Sequence, residues 1–94
     1  ARSADDAARY LRTAQLFGGM ATALAAAGRL YGDAGQPAEA ADRLFRAGRA
    51  LAAQGSAEQA IRDLRQALVF AEQAGAGPLK SLIESSIGSA TRTE

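Results

Sequence analysis

The chain has 94 residues, with 11 basic and 10 acidic side chains and a formal net charge of +1. That near balance provides no strong drive toward nucleic acid or an anionic membrane surface. It contains no cysteine and no histidine, which removes disulfides, thiolate metal sites, the commonest general base and the commonest metal ligand.

Of the 45 apolar residues, 25 are alanine and 20 are larger. Alanine is the best helix former and lets helices approach closely, but it buries little area. The larger side chains must therefore supply most of the hydrophobic stabilisation.

In chain order, Ser3 followed by Asp6 reads as a capping box, and Ala7, Leu11 and Ala14 form the apolar stripe of a first helix. The adjacent Gly18 and Gly19 predict a break, since each costs about 1 kcal/mol inside a helix. A continuous kinked helix through residues 17–20 is the alternative. Residues 13–28 carry no charge, but a run of 16 that includes Gln15, Thr22 and three glycines is too short and too polar to span a bilayer, and predicts a buried helix.

A second helix is expected from about 20 to 32, with Leu24, Ala27 and Tyr31 on its stripe. Gln36-Pro37 opens the third, with proline where its missing N–H is harmless. Its stripe is Ala40, Leu44, Ala47 and Leu51, stepping by four, three and four. Ser56 and Gln59 suggest a capping box for the fourth, where Ala60, Leu64, Ala67 and Ala71 repeat those steps. Gly77-Pro78 opens a fifth, with Leu79, Leu82, Ile83 and Ile87 on its stripe. No segment alternates with period two, so no strand is expected. Asp5–Arg9, Glu39–Arg43, Asp42–Arg46 and Glu58–Arg62 are acid-first i,i+4 pairs, the favourable order on a solvated helix face.

Gly35, Gly55 and Gly75 stand twenty residues apart, each just past an apolar stripe. A glycine there supplies the left-handed residue that closes a helix. Gly48 and Gly88 mark a forty-residue period. Two helices per forty residues is the pattern of an α-solenoid, whose units bury their faces by stacking.

At Leu44, Ala47, Gly48, Leu51 and Gly55, and then Ala60, Leu64, Ala67 and Leu68, the chain resembles a tetratricopeptide repeat (TPR) of the longer, roughly forty-residue variety. The match is best over 36–75, and the helix over 78–92 reads as a cap or the start of a further repeat. The resemblance implies an all-α fold, a right-handed α–α superhelix of about five helices in a single domain over 1–94. A second phase, with Gly28 and Tyr31 in the first-helix role, and a plain helical bundle stay open as alternatives.

The resemblance also implies a non-catalytic protein–protein interaction module that holds a peptide or helix on its concave face. In the preferred phase that face carries Arg9 and Arg12, then Phe45, Arg46 and Arg49, then Ser85, Ser89 and Arg92. Such a strip suits an acidic segment or a terminal carboxylate. The plain alternative is that the arginines are solvated and Phe45 packs under a neighbouring helix. A self-associating assembly domain, or a structural piece of a longer solenoid, is the other functional reading. No cofactor, metal, nucleic acid or membrane span is expected, and a soluble cytoplasmic setting is favoured. Gly28 and Gly32 form a G-x-x-x-G that predicts close helix contact, and Tyr10 and Tyr31 read as core residues with hydroxyls at the rim.

Overall fold

The computed structural model describes the backbone of residues 4–92 and the side chains of residues 19–91. Every described element is an α-helix: α1 (Ala4–Asp33), α2 (Pro37–Ala53), α3 (Ala57–Ala74) and α4 (Gly77–Arg92). None of the described helices is long and apolar enough to cross a membrane.

There are four helices rather than the five expected, because α1 runs unbroken through Gly18 and Gly19. Two glycines disfavour a helix but do not end one unless something nearby stabilises a turn. Residues 13–28 contain no proline, aspartate, asparagine or serine to do so, and strong helix formers flank the glycines. An alanine Cβ at Gly19 would meet nothing within 4 Å, so among the described residues that glycine serves no close contact.

The other boundaries follow the glycine register. Gly35, Gly55 and Gly75 adopt φ of 76°, 85° and 68°, the left-handed region that glycine enters without steric cost. Each turn repeats the same double hydrogen bond. The N–H of Gln36, Ser56 and Ala76 donates to the carbonyl of Tyr31, Leu51 and Ala71 at 2.9, 2.9 and 3.0 Å. The N–H of Gly35, Gly55 and Gly75 donates to Gly32, Ala52 and Glu72 at 3.1, 3.1 and 3.2 Å. This pair of bonds satisfies carbonyls that a helix end leaves orphaned. Pro37 opens α2, and Ser56 occupies the N-cap of α3, though its hydroxyl makes no capping bond. The Ser3 capping box lies outside the described residues.

Turns this short make each helix antiparallel to the next. α2 packs on α1, α3 on α2, and α4 on α3, with a lighter contact between α2 and α4. The stripes read from the sequence form the core. Ala40, Leu44, Ala47, Ala60, Leu64, Ala67 and Ala71 are all buried, and Leu44, Leu64 and Ile83 are the largest side chains fully enclosed. On α4 the buried line is Ile83 and Ala90, with Leu79 and Ile87 packed against the cluster. Leu82 departs from the expected stripe and is 56% exposed.

The helix–helix contact repeats at the level of atoms. A Cβ built on Gly28 would lie 2.8 Å from Leu44 Cγ and 3.2 Å from the Ala40 carbonyl oxygen. A Cβ built on Gly48 would lie 2.6 Å from Leu64 Cγ and 3.2 Å from the Ala60 carbonyl oxygen. Each glycine thus lets the leucine and the backbone of the following helix come close, and the two contacts are offset by one helix, twenty residues. α2 receives α1 on one side and offers the same kind of seat to α3 on the other. Gly32, the second glycine of the G-x-x-x-G, faces the Phe70 ring of α3 instead.

Candidate functional site

Two of the concave regions lie between helices that are not consecutive in the chain. The first lies between α2 and α4, over α3. Arg49 and Ala52 line one wall, Ser85, Ser86, Ser89 and Ala90 the other, and Leu64 contributes from below, around a cavity of about 270 Å³. Position along the helices explains the assembly. Arg49 follows Gly48, the seat of Leu64. Ser85 and Ser89 are one turn apart on α4, beside the buried Ile83 and Ala90.

Three of the residues expected at a partner-binding face, Arg49, Ser85 and Ser89, therefore share one groove, and all three are exposed. Phe45 belongs to the core instead, only 9% exposed and clustered with Leu44, Leu64 and Ile83. Arg49 lies over its ring, with Cζ 5.6 Å from the centroid, so the aromatic face helps to place the guanidinium. Arg46 is exposed and its Nε is 3.3 Å from Asp42 Oδ2, the i,i+4 pair read from the sequence. The side chains of Arg9, Arg12 and Arg92 lie outside the described residues, as does the Asp5–Arg9 pair.

Arg43 joins the same acidic pair from the other side. Its Nη1 donates to Asp42 Oδ2 at 2.8 Å and sits 3.2 Å from Glu39 Oε2. Its Cζ lies 5.2 Å from the centroid of the half-buried Tyr31 ring. This cluster braces the α1–α2 seam. The Glu58–Arg62 pair is not among the ion pairs of the described residues.

The second concavity lies between α1 and α3. It measures about 220 Å³ and is lined by Ala21, Thr22, Ala25 and Arg29 of α1, Leu51 of α2, and Gln59, Arg62 and Asp63 of α3. Asp63 is the one buried charged residue among the described residues, 7% exposed. Its Oδ1 stands 3.8 Å from Arg29 Nη2, beyond hydrogen-bond reach. Burial pushes the Asp63 carboxyl above its ordinary value, against the pull of Arg29 and Arg62.

Sequence reasoning passed over this second group. The signal was present: Asp63 lies three residues after Ala60 and one before Leu64, so an acid occupies the edge of a buried stripe. Arg29 follows Gly28 as Arg49 follows Gly48. An acid at a buried helical position needs a cation from a neighbouring helix, and that repeated Gly-Arg is where one stands.

What the α2–α4 groove can do is donate. A guanidinium and three hydroxyls around an apolar floor suit a carboxylate or a carbonyl-rich backbone. With no histidine or cysteine in the chain, its serines have neither of the usual partners of an activated nucleophile.

No protein-family model matches the chain, and neither the curated proteins nor the solved structures include a significant match to it. The resemblance to tetratricopeptide repeats therefore stands on the sequence pattern alone.

Proposed function

We propose that the chain is a non-catalytic protein-interaction module, a TPR-like stack of helices that holds an acidic peptide or helix of a partner in the groove between α2 and α4. The observation that carries this reading is the convergence of Arg49, Ser85 and Ser89 on one groove floored by Leu64. The family resemblance that suggested them concerned two helices thirty to forty residues apart in sequence. The twelve-residue step from Gly48 to Ala60, with the close approach it makes, supports a hairpin of that kind.

In this reading Arg49 binds the carboxylate of the partner, while Ser85 and Ser89 bond its backbone. Arg46 and Arg43 are neutralised in place by Asp42 and Glu39, so they contribute background field rather than contacts. The test is binding of fluorescent peptides from an acid-rich library, followed by anisotropy. Acidic peptides should bind better than charge-reversed ones, and Arg49→Glu should abolish the difference. Arg46→Glu should change affinity less than twofold. Equal binding of acidic and basic peptides, or an Arg49→Glu variant that retains the preference, rules this groove out as the site.

A further inference from the structure

Helices α1 and α3 both pack on α2 and meet each other where the Phe70 ring covers Gly32. Away from that contact they leave the cavity of about 220 Å³, with Ala25 and Leu51 among its apolar walls and Arg29, Gln59, Arg62 and Asp63 among its polar ones. That is less than the ~300–1,000 Å³ of sites for drug-sized molecules. It equals the space of about seven waters at ~30 Å³ each, which suits a single small solute.

Asp63 sets this cavity apart from the other hollows of the surface. Its side chain is nine-tenths buried. A carboxylate has two oxygens to satisfy, yet among the described residues Asp63 accepts no hydrogen bond, and Arg29 Nη2 stops 3.8 Å from Oδ1. Burial without bonds raises its carboxyl, a cost to the fold that a donor entering the cavity would offset. Arg29 and Arg62 are exposed, and Arg62 forms no ion pair among the described residues.

We propose that this cavity binds a free acidic α-amino acid, aspartate or glutamate. Its ammonium donates to Asp63, its α-carboxylate accepts from Arg29 and its side-chain carboxylate accepts from Arg62. Three observations select this class. First, Asp63 Oδ1 and Arg29 Nη2 stand too far apart to bond each other. The ammonium and carboxylate on one α-carbon lie about 3 Å apart by bonded geometry, so one ligand bonds both side by side. Second, Arg29 and Arg62 against Asp63 give the lining a net charge of +1. An acidic amino acid brings the opposite charge, with two carboxylates for two guanidiniums and one ammonium for the acid. A simple amine meets repulsion from the arginines, and a simple dicarboxylate meets repulsion from Asp63. Third, the volume holds one such molecule. The site shares no lining residue with the α2–α4 groove, so it stands or falls apart from peptide binding there.

Calorimetric titration of the full chain with L-aspartate and L-glutamate tests this. Three kinds of probe each lack one group: the side-chain amides asparagine and glutamine, the N-acetyl derivatives, and the dicarboxylates succinate and glutarate. Each should bind about tenfold or more weakly than its parent, one charge-assisted contact being lost. Asp63→Asn should weaken the amino acids by about tenfold or more and strengthen the dicarboxylates, a reversal that a merely structural change does not produce. Arg62→Gln, at an exposed position, should remove the preference over asparagine and glutamine. It keeps the test decisive whatever Asp63→Asn does to the fold, which circular dichroism reads. Arg49→Glu should leave all of these affinities unchanged. No saturable binding at millimolar ligand, equal binding of amino acids and dicarboxylates, or a folded Asp63→Asn variant of unchanged affinity overturns the proposal. Tighter binding of peptides with an acidic first residue than of the free amino acids would assign the cavity to a partner's N-terminus and also overturn it.

Discussion

Replacing Gly48 and, separately, Gly88 by alanine tests the repeated glycine seat directly. Both are helical, forty residues apart, and alanine is the better helix former by about 0.8–1 kcal/mol. Their surroundings differ. At Gly48 the new Cβ would lie 2.6 and 2.7 Å from Leu64 Cγ and Cδ2 and 3.2 Å from the Ala60 carbonyl oxygen. Leu64 is 1% exposed and cannot swing aside, and the Ala60 oxygen is backbone. Helix α3 must shift away from α2, an overpacking cost of about 1–3 kcal/mol. At Gly88 the Cβ would meet nothing within 4 Å. Gly88→Ala should therefore stabilise by up to about 1 kcal/mol, and Gly48→Ala should destabilise by up to about 2 kcal/mol once the propensity gain is subtracted. For a chain of this length, each 1 kcal/mol corresponds to about 4–8 °C in Tm. Thermal melts followed by circular dichroism measure both. If the two variants shift Tm in the same direction by the same amount, the close approach at Gly48 is not what holds α2 and α3 together.

Three further predictions use other features. Gly55→Ala places a Cβ at φ of 85° and should destabilise by about 1–2 kcal/mol through backbone strain alone, read from urea titration; an unchanged midpoint would refute a left-handed cap there. Asp63 binds its proton more readily folded than unfolded, because burial raises its carboxyl. Its effect is therefore absent below the ordinary carboxylate range and becomes a destabilisation as pH rises through the raised value. Asp63→Asn should accordingly stabilise at neutral pH and be neutral in acid, and a variant less stable than the parent at neutral pH would mean that the Arg29 pair outweighs desolvation. Deleting residues 78–94 uncovers the fully buried Ile83 and the partly buried Leu79 and Ile87, and should lower stability by roughly 2–5 kcal/mol after ordering entropy; an equal melting temperature would mean that α4 contributes nothing to the fold.

Most of the helical frame was legible because its signals are local. Gly35, Gly55 and Gly75 announce left-handed closures, and the four-three-four steps of Ala40 and Ala60 onward announce two buried faces. Where prediction failed, the deciding physics was not local. Gly18-Gly19 reads as a break on propensity, yet residues 13–28 contain no proline, aspartate, asparagine or serine to favour a turn, and the helix continues. Leu82 and Ile83 are adjacent and equally apolar, and it is the packing of α4 on α3 that encloses Ile83 and leaves Leu82 facing water. Ser56 took the N-cap position without the capping bond, since a cap's place follows from the helix start but its bond follows from one rotamer. The arginine and serines of the groove came from the family likeness, and helix packing brought them together. Asp63 and Arg29 escaped notice because an ion pair between α1 and α3 has no sequence spacing of its own.

The glycine register also explains why the two ends of the stack differ. Moving forty residues from α2 to α4 carries Leu44 to Glu84, Ala41 to Ser81, Leu51 to Thr91 and Gly48 to Gly88. Around its glycine α2 is apolar, with Leu44 against Gly28 of α1 and Gly48 against Leu64 of α3. The corresponding face of α4 keeps the glycine but surrounds it with a carboxylate and hydroxyls, all three exposed. A helix laid against Gly88 would lie beside these exposed polar groups and would have to desolvate part of them. α1 differs, with the apolar Met20 and Leu30 both exposed. The glycine-and-leucine seat that joins α1 to α2 and α2 to α3 is therefore not reproduced in kind at Gly88, where no side chain of the described residues lies within 4 Å of the position a Cβ would take.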